Sequence, residues 1–187
     1  MCGGLHNQMK PKSGGKWVLT IIFMSIVISM VFSILSESVL SGAGYAVAFS
    51  VLAVFIIVGT LFDILGVAVT SASEAPFHSI ASHGERGAAE AITLLRNAEK
   101  VSSVCNDVVG DICGIMSGAT SAVIVANLAF DFGMQGMYLQ VLVSGLVAGL
   151  TIGGKAVGKG IAIANSTSIV LFVGKVISWI FGIFRRK

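Results

Sequence analysis

Charge is what this sequence has least of. Asp, Glu, Lys and Arg make up only 11% of its 187 residues, against a hydrophobic share of 55% and a mean hydropathy of +0.94. A soluble domain carries about 25% charged residues, so this chain lacks the polar surface to face water, and its solvent must be lipid. Proline is nearly missing, and the 23 glycines follow no collagen-like period. The three cysteines, Cys2, Cys105 and Cys113, make neither a metal-binding spacing nor a disulfide framework. His78 and His83 stand five positions apart and so do not share a helix face. No nucleophile–base pair, phosphate loop or metal-ligand cluster stands out, which argues against an enzyme. The net charge of +3 is explained by membrane topology, which leaves nothing to indicate nucleic-acid binding.

What is there is a series of long apolar runs. Trp17–Leu35 holds no charge and is long enough to cross roughly 30 Å of hydrocarbon. A second run covers about Tyr45–Thr70 and is broken only by Asp63; a third, about Val101–Ala126, contains Asp107 and Asp111; a fourth, about Met137–Gly154, is uncharged. All 12 Lys and Arg fall in three places: before the first run, between the second and third, and after the fourth. The connections Ser36–Gly42 and Asn127–Gly136 hold none. Because basic residues mark the cytoplasmic side, the alternation predicts four spans, both termini cytoplasmic, in the plasma membrane.

Two segments need a decision. The basic start of the first run and Ser41-Gly42-Ala43 resemble a cleavable signal, but the apolar core exceeds the roughly 7–15 residues usual there. A retained helix is expected. The run Ser166–Phe184 would put Lys175 near the bilayer centre if it crossed, at a cost of about 2.5–3.5 kcal/mol. Ser168, Lys175, Ser178 and Gly182 form a narrow polar stripe, so an amphipathic helix on the cytoplasmic surface is expected instead. Between spans two and three, Ser73-Glu74-Ala75-Pro76 reads as a helix start and His83-Gly84 as its stop, with Glu85–Asn97 forming a second helix. The fold expectation is therefore an all-α membrane protein of four transmembrane helices, with a cytoplasmic helical hairpin and a C-terminal interfacial helix.

Small residues recur every four positions at Gly110, Gly114, Gly118 and Ala122, and again at Gly145, Gly149 and Gly153. Such grooves either pack one monomer or seal a homodimer. The acids are rarer and carry more chemistry. Asp63, Thr70 and Glu74 fall near one face by their spacing, and Asp107 and Asp111 lie one turn apart beside Asn106. Ionisable groups within membrane spans usually face a cavity, a partner or an ion path. Carboxylate, hydroxyl and amide oxygens suit Mg²⁺, Ca²⁺ or protons. No Lys or Arg is expected in the upper membrane to neutralise them.

The order of these features resembles the transmembrane domain of the cyclin M / CorB–CorC family of magnesium and cobalt transporters. The residues that carry the likeness are Ser71-Ala72-Ser73-Glu74-Ala75, then Gly84-Glu85-Arg86-Gly87-Ala88, then Leu94-Leu95. Gly154-Lys155-Ala156-Val157-Gly158-Lys159 and Ile161-Ala162-Ile163-Ala164-Asn165 stand where that family closes its last span and begins a surface helix. The likeness covers about residues 45–187. It implies a homodimer in the lipid bilayer that handles a divalent cation, Mg²⁺ or Co²⁺, at Ser71, Ser73, Asn106, Asp107 and Asp111. It also divides the chain into a basic tail (1–16), an added first helix (17–35), a three-span core (43–160) and a surface helix with a basic tail (161–187).

This chain departs from the family pattern in several places. Lys155 stands where the family has a glutamate of its Mg²⁺ site, and Asn106 matches the family's asparagine only with a short gap. The nucleotide-sensing CBS pair and the small C-terminal domain of many members have no counterpart here, so regulation by ATP is not expected. A second reading follows from Lys155: a degenerate, non-transporting scaffold in which this lysine neutralises the old site by pairing with Asp107 or Asp111.

Overall fold

The computed structural model describes residues 15–40, 44–132 and 136–184. Lys10, Lys12, Cys2, Ser41-Gly42-Ala43 and Arg185-Arg186-Lys187 lie outside the described residues. Every element among the described residues is helical: α1 (Gly15–Leu40), α2 (Tyr45–Ser71), α3 (Ala75–Ser82), α4 (Ala88–Arg96), α5 (Ala98–Ser103), a π-helical segment (Val104–Gly110), α6 (Asp111–Phe132), α7 (Gly136–Ala164) and α8 (Ser166–Phe184). Four stretches are long and apolar enough to cross a membrane: Gly15–Leu40, Tyr45–Ser71, Ala98–Asp131 and Gln140–Ala164. The helices outrun the apolar runs that announce them, because flanking small and polar residues continue a helix that nothing interrupts. The last of them runs on past Gly154 to Ala164.

The bundle is organised around α2, which packs on α7, on α6 and on the π-helical segment. At one end Ala48 and Leu52 of α2 meet Ile124 of α6, with Val147 of α7 against them. Further along, Phe55 joins Val108, Ile112, Cys113 and Met116. Helix α1 covers this second cluster from outside with Ile21, Met24, Ile28 and Phe32. Phe32 meets Phe55 edge to face, ring centroids 6.0 Å apart, a geometry set by the ring quadrupoles. Otherwise α1 is peripheral, and most of its large apolar side chains stay exposed. An apolar surface of that kind needs lipid or another helix, not water.

Below α2 the chain turns sharply. Ala72 is extended, which ends the helix at Ser71 and frees Glu74 from its face. The expectation that Asp63, Thr70 and Glu74 line one face is thereby corrected for Glu74, which bonds instead to His78 at 3.4 Å and lies 3.8 Å from Arg96. These pairs are largely exposed, and such pairs contribute little. Phe77 holds α3 in place: fully buried, it packs with Val69, Ala91, Leu95, Ala162 and Val170. A side chain of that kind contributes about 1.5–3 kcal/mol on burial.

Helix α4 lies across α8, and the two backbones nearly touch. Gly87, the residue capping α4, has φ +89°, and a Cβ there would stand 2.5 Å from the Lys175 amide nitrogen. Opposite it, a Cβ on Gly174 would collide with the Gly87 carbonyl. Lys175 then reaches Glu85 at 3.2 Å. Gly87→Ala should therefore lower stability by more than the ~1–2 kcal/mol of a left-handed non-glycine residue, because backbone must also move. Gly160→Ala, whose Cβ would meet nothing within 4 Å, should not lower the thermal unfolding midpoint in detergent.

Candidate functional site

Three helices converge on one carboxylate. Helix α2 turns Asp63 inward, and α7 delivers Lys155 from the other side. Lys155 Nζ stands 2.9 Å from Asp63 Oδ2 and donates to the Gly110 carbonyl at 3.4 Å. Only 7% of the Asp63 side chain and 21% of the Lys155 side chain are exposed, so neither charge has much water to fall back on. A charge buried to this degree is tolerated only with a partner and with hydrogen bonds to its remaining sites.

The sequence makes room for this pair with two glycines. A Cβ on Gly110 would collide with Asp63 Oδ1, so the absence of a side chain lets the carboxylate lie against the π-helical segment. A Cβ on Gly66, one turn after Asp63, would collide with Asn106 Oδ1. Asn106 donates from Nδ2 to Ser102 Oγ at 3.2 Å, while its Oδ1 is buried without a hydrogen-bond partner. The π-helical segment carries both of these α2-facing residues. Its wider i→i+5 turns are uncommon and are found frequently at functional sites. Here the widened turn ends at the carbonyl that accepts from Lys155.

The lysine's partner is a correction. Lys155 pairs with Asp63, not with Asp107 or Asp111. Asn106 and Gly110 face α2, so Asp107 and Asp111, each one position further along, turn away and are exposed. The expectation that no basic side chain reaches these acids fails for Asp63 on the same evidence. Gly110 is also not part of one continuous groove. It holds Asp63, whereas Cβ atoms on Gly114 and Gly118 would meet nothing within 4 Å. On α7 the packed small residues are Gly154 and Gly158, against Thr60 and Ile64 of α2, while Gly145, Gly149 and Gly153 look into open space.

Of the five residues the sequence puts forward for a metal, Ser71 and Ser73 are exposed near the end of α2, Asp107 and Asp111 are exposed, and Asn106 is half-buried. Among the described residues no side-chain hydrogen bond joins any two of them; the Asp111 amide donates to the Asn106 carbonyl only as part of the π-helical backbone. Among the described residues no three His, Cys, Asp or Glu side chains gather to hold an ion. The donor set at the centre is one carboxylate, one carbonyl and one ammonium, a neutral arrangement that does not fit a divalent cation while Lys155 stays in place. Asp63 and Lys155 were each visible in the sequence as oddities. Their pairing was not, since 92 positions separate them and nothing local links the two.

At the other end of the bundle, the Tyr45 hydroxyl donates to the Asp131 carboxylate and ties the start of α2 to the end of α6. No family model, curated protein or solved structure matches the chain.

Lys155→Ala should strand Asp63 and cost about 3–5 kcal/mol, the usual penalty for an orphaned buried charge. Adding Asp63→Asn should recover part of that loss in a thermal-unfolding cycle, and adding Asp111→Asn should recover none.

Proposed function

We propose that the chain is a multi-pass membrane protein related to the CorB-type magnesium and cobalt transporters. It serves divalent-cation homeostasis from a self-neutralised state in which its own Lys155 stands where a cation would. The observation that carries this reading is the contact of Lys155 Nζ with Asp63 Oδ2 and the Gly110 carbonyl. Those are the oxygen donors a hard cation takes, gathered at a π-helical turn within the apolar bundle. A tethered ammonium fills such a site without leaving it, so the resting protein conducts no ion past Asp63.

The topology that goes with this reading has both termini and the α3–α4 hairpin on the cytoplasmic side of the plasma membrane, because the basic residues gather there. Helix α8 lies along the surface. Phe172, Val176, Trp179 and Ile180 form its exposed apolar stripe, and Lys175 leans away to Glu85. Two copies associate through the small-residue face of Gly145, Gly149 and Gly153, which no element of the monomer covers.

A second reading is favoured by Asn106. Its buried Oδ1 has no protein partner, and with Asp107 next to it in sequence and Asp111 at the start of α6 it offers an oxygen path for Mg²⁺ that bypasses Lys155. Ser71 and Ser73 belong to that path. Thermal unfolding of purified protein with and without Mg²⁺ separates the two readings. On the first, the wild type shows no Mg²⁺-dependent shift, and Lys155→Ala acquires one that Asp63→Asn removes. On the second, the wild type shifts, and Asp107→Asn with Asp111→Asn abolishes the effect. A wild-type shift insensitive to all of these variants sinks both.

A further inference from the structure

Where α4 and α5 face α8, the protein forms a cleft of about 500 Å³ that the ion-pair centre does not use. This is within the usual range of roughly 300–1,000 Å³ for a small-ligand site. Glu90, Thr93 and Asn97 supply its polar lining, and Leu94, Val101 and Ile177 its apolar lining.

Thr93 Oγ1 donates to the Ala89 carbonyl at 2.9 Å, and one hydrogen of Asn97 Nδ2 goes to the Thr93 carbonyl at 2.9 Å. What remains for a ligand is the second Asn97 N–H and two acceptors: the Asn97 side-chain oxygen and the Glu90 carboxylate, which makes no ion pair among the described residues. A lining of this character selects a cation rich in N–H donors. Next in sequence to Val101, Lys100 lies 5.4 Å from the centroid of the Trp17 ring. This contact ties α5 to the start of α1. Val101 and Ile177 belong to segments that are themselves apolar enough to meet lipid.

We propose that this cleft binds a phospholipid with a primary-ammonium headgroup. The ammonium donates to Glu90 and to the Asn97 oxygen, the remaining Asn97 N–H faces the phosphate, and the upper acyl chain lies along Leu94, Val101 and Ile177. A choline headgroup has no N–H to give and loses the polar lining. The proposal rests on the membrane reading above but not on Lys155, so its failure leaves the ion-pair centre untouched.

The test uses the full chain purified in detergent. It is titrated with ethanolamine-, choline- and glycerol-headgroup phospholipids of identical chains, and bound lipid is read by native mass spectrometry and by thermal shift. The ethanolamine lipid should bind about tenfold more tightly than the choline lipid, as expected for one charge-assisted hydrogen-bond set. Glu90→Gln should bring the two together while the lipid-free unfolding midpoint holds, since Glu90 pairs with nothing that folding needs. Asp63→Asn should leave the preference intact. Equal binding of ethanolamine and choline lipids, or a preference that survives Glu90→Gln, overturns the proposal. Tighter binding of the glycerol lipid does so too, by assigning the surface to its basic residues. Equal affinity for chain-free phosphoethanolamine would overturn the lipid assignment in favour of a soluble zwitterion.

Discussion

An ammonium and a carboxylate held 2.9 Å apart among apolar helices constrain everything around them. Neither charge can be left alone there, because an ion stripped of water is stable only against a partner. Helix α7 must therefore stay in register with α2 at Lys155 and Asp63, and the π-helical segment must bring a carbonyl to the same point. Gly110 permits that approach on this segment, and Gly154 and Gly158 permit it on α7. The three helices are thus fixed relative to one another by one polar contact, while the surrounding packing of Phe55, Val108, Ile112 and Met116 is apolar and would tolerate small slips.

The π-helical segment belongs to the same constraint. An extra residue in a turn loosens the regular i→i+4 ladder, and here the carbonyl at the end of that segment accepts from Lys155. The same segment turns Asn106 towards Gly66 and leaves Asp107 and Asp111 outside. The Lys155–Asp63 contact is then balanced within itself, and the exposed acids take no part in it. The ends of the bundle are held by different means: Tyr45 with Asp131 at one, and Phe77 with the backbone contact of Gly87 and Gly174 at the other.

Much of this architecture was legible in the sequence. Apolar runs and the placement of Lys and Arg are local properties, and hydrophobic length maps directly onto a helix that can span lipid. The strangeness of Asp63 was legible for the same reason, since a charge in an apolar run needs no partner to be noticed, whereas Lys155 follows the fourth run and stood out only against the family pattern. The meaning of the glycines was not. Gly110 fits a four-residue repeat with Gly114 and Gly118, yet one of the three receives a carboxylate and the others face open space. Glu74 fits the face of Asp63 by spacing, yet the helix ends at Ser71, so the period stops carrying information.

The sequence by itself determined the helical class and the four helices long and apolar enough to cross a membrane, because those follow from composition and hydropathy summed over short windows. The tertiary structure alone decided which acid the lysine neutralises. Asp63, Asp107 and Asp111 are equivalent by residue type and by membership of an apolar run. They are separated only by rotation about their helix axes and by which glycine opposes them. Rotation depends on one π-helical turn and on three-helix packing, and neither is written in the neighbourhood of any single residue.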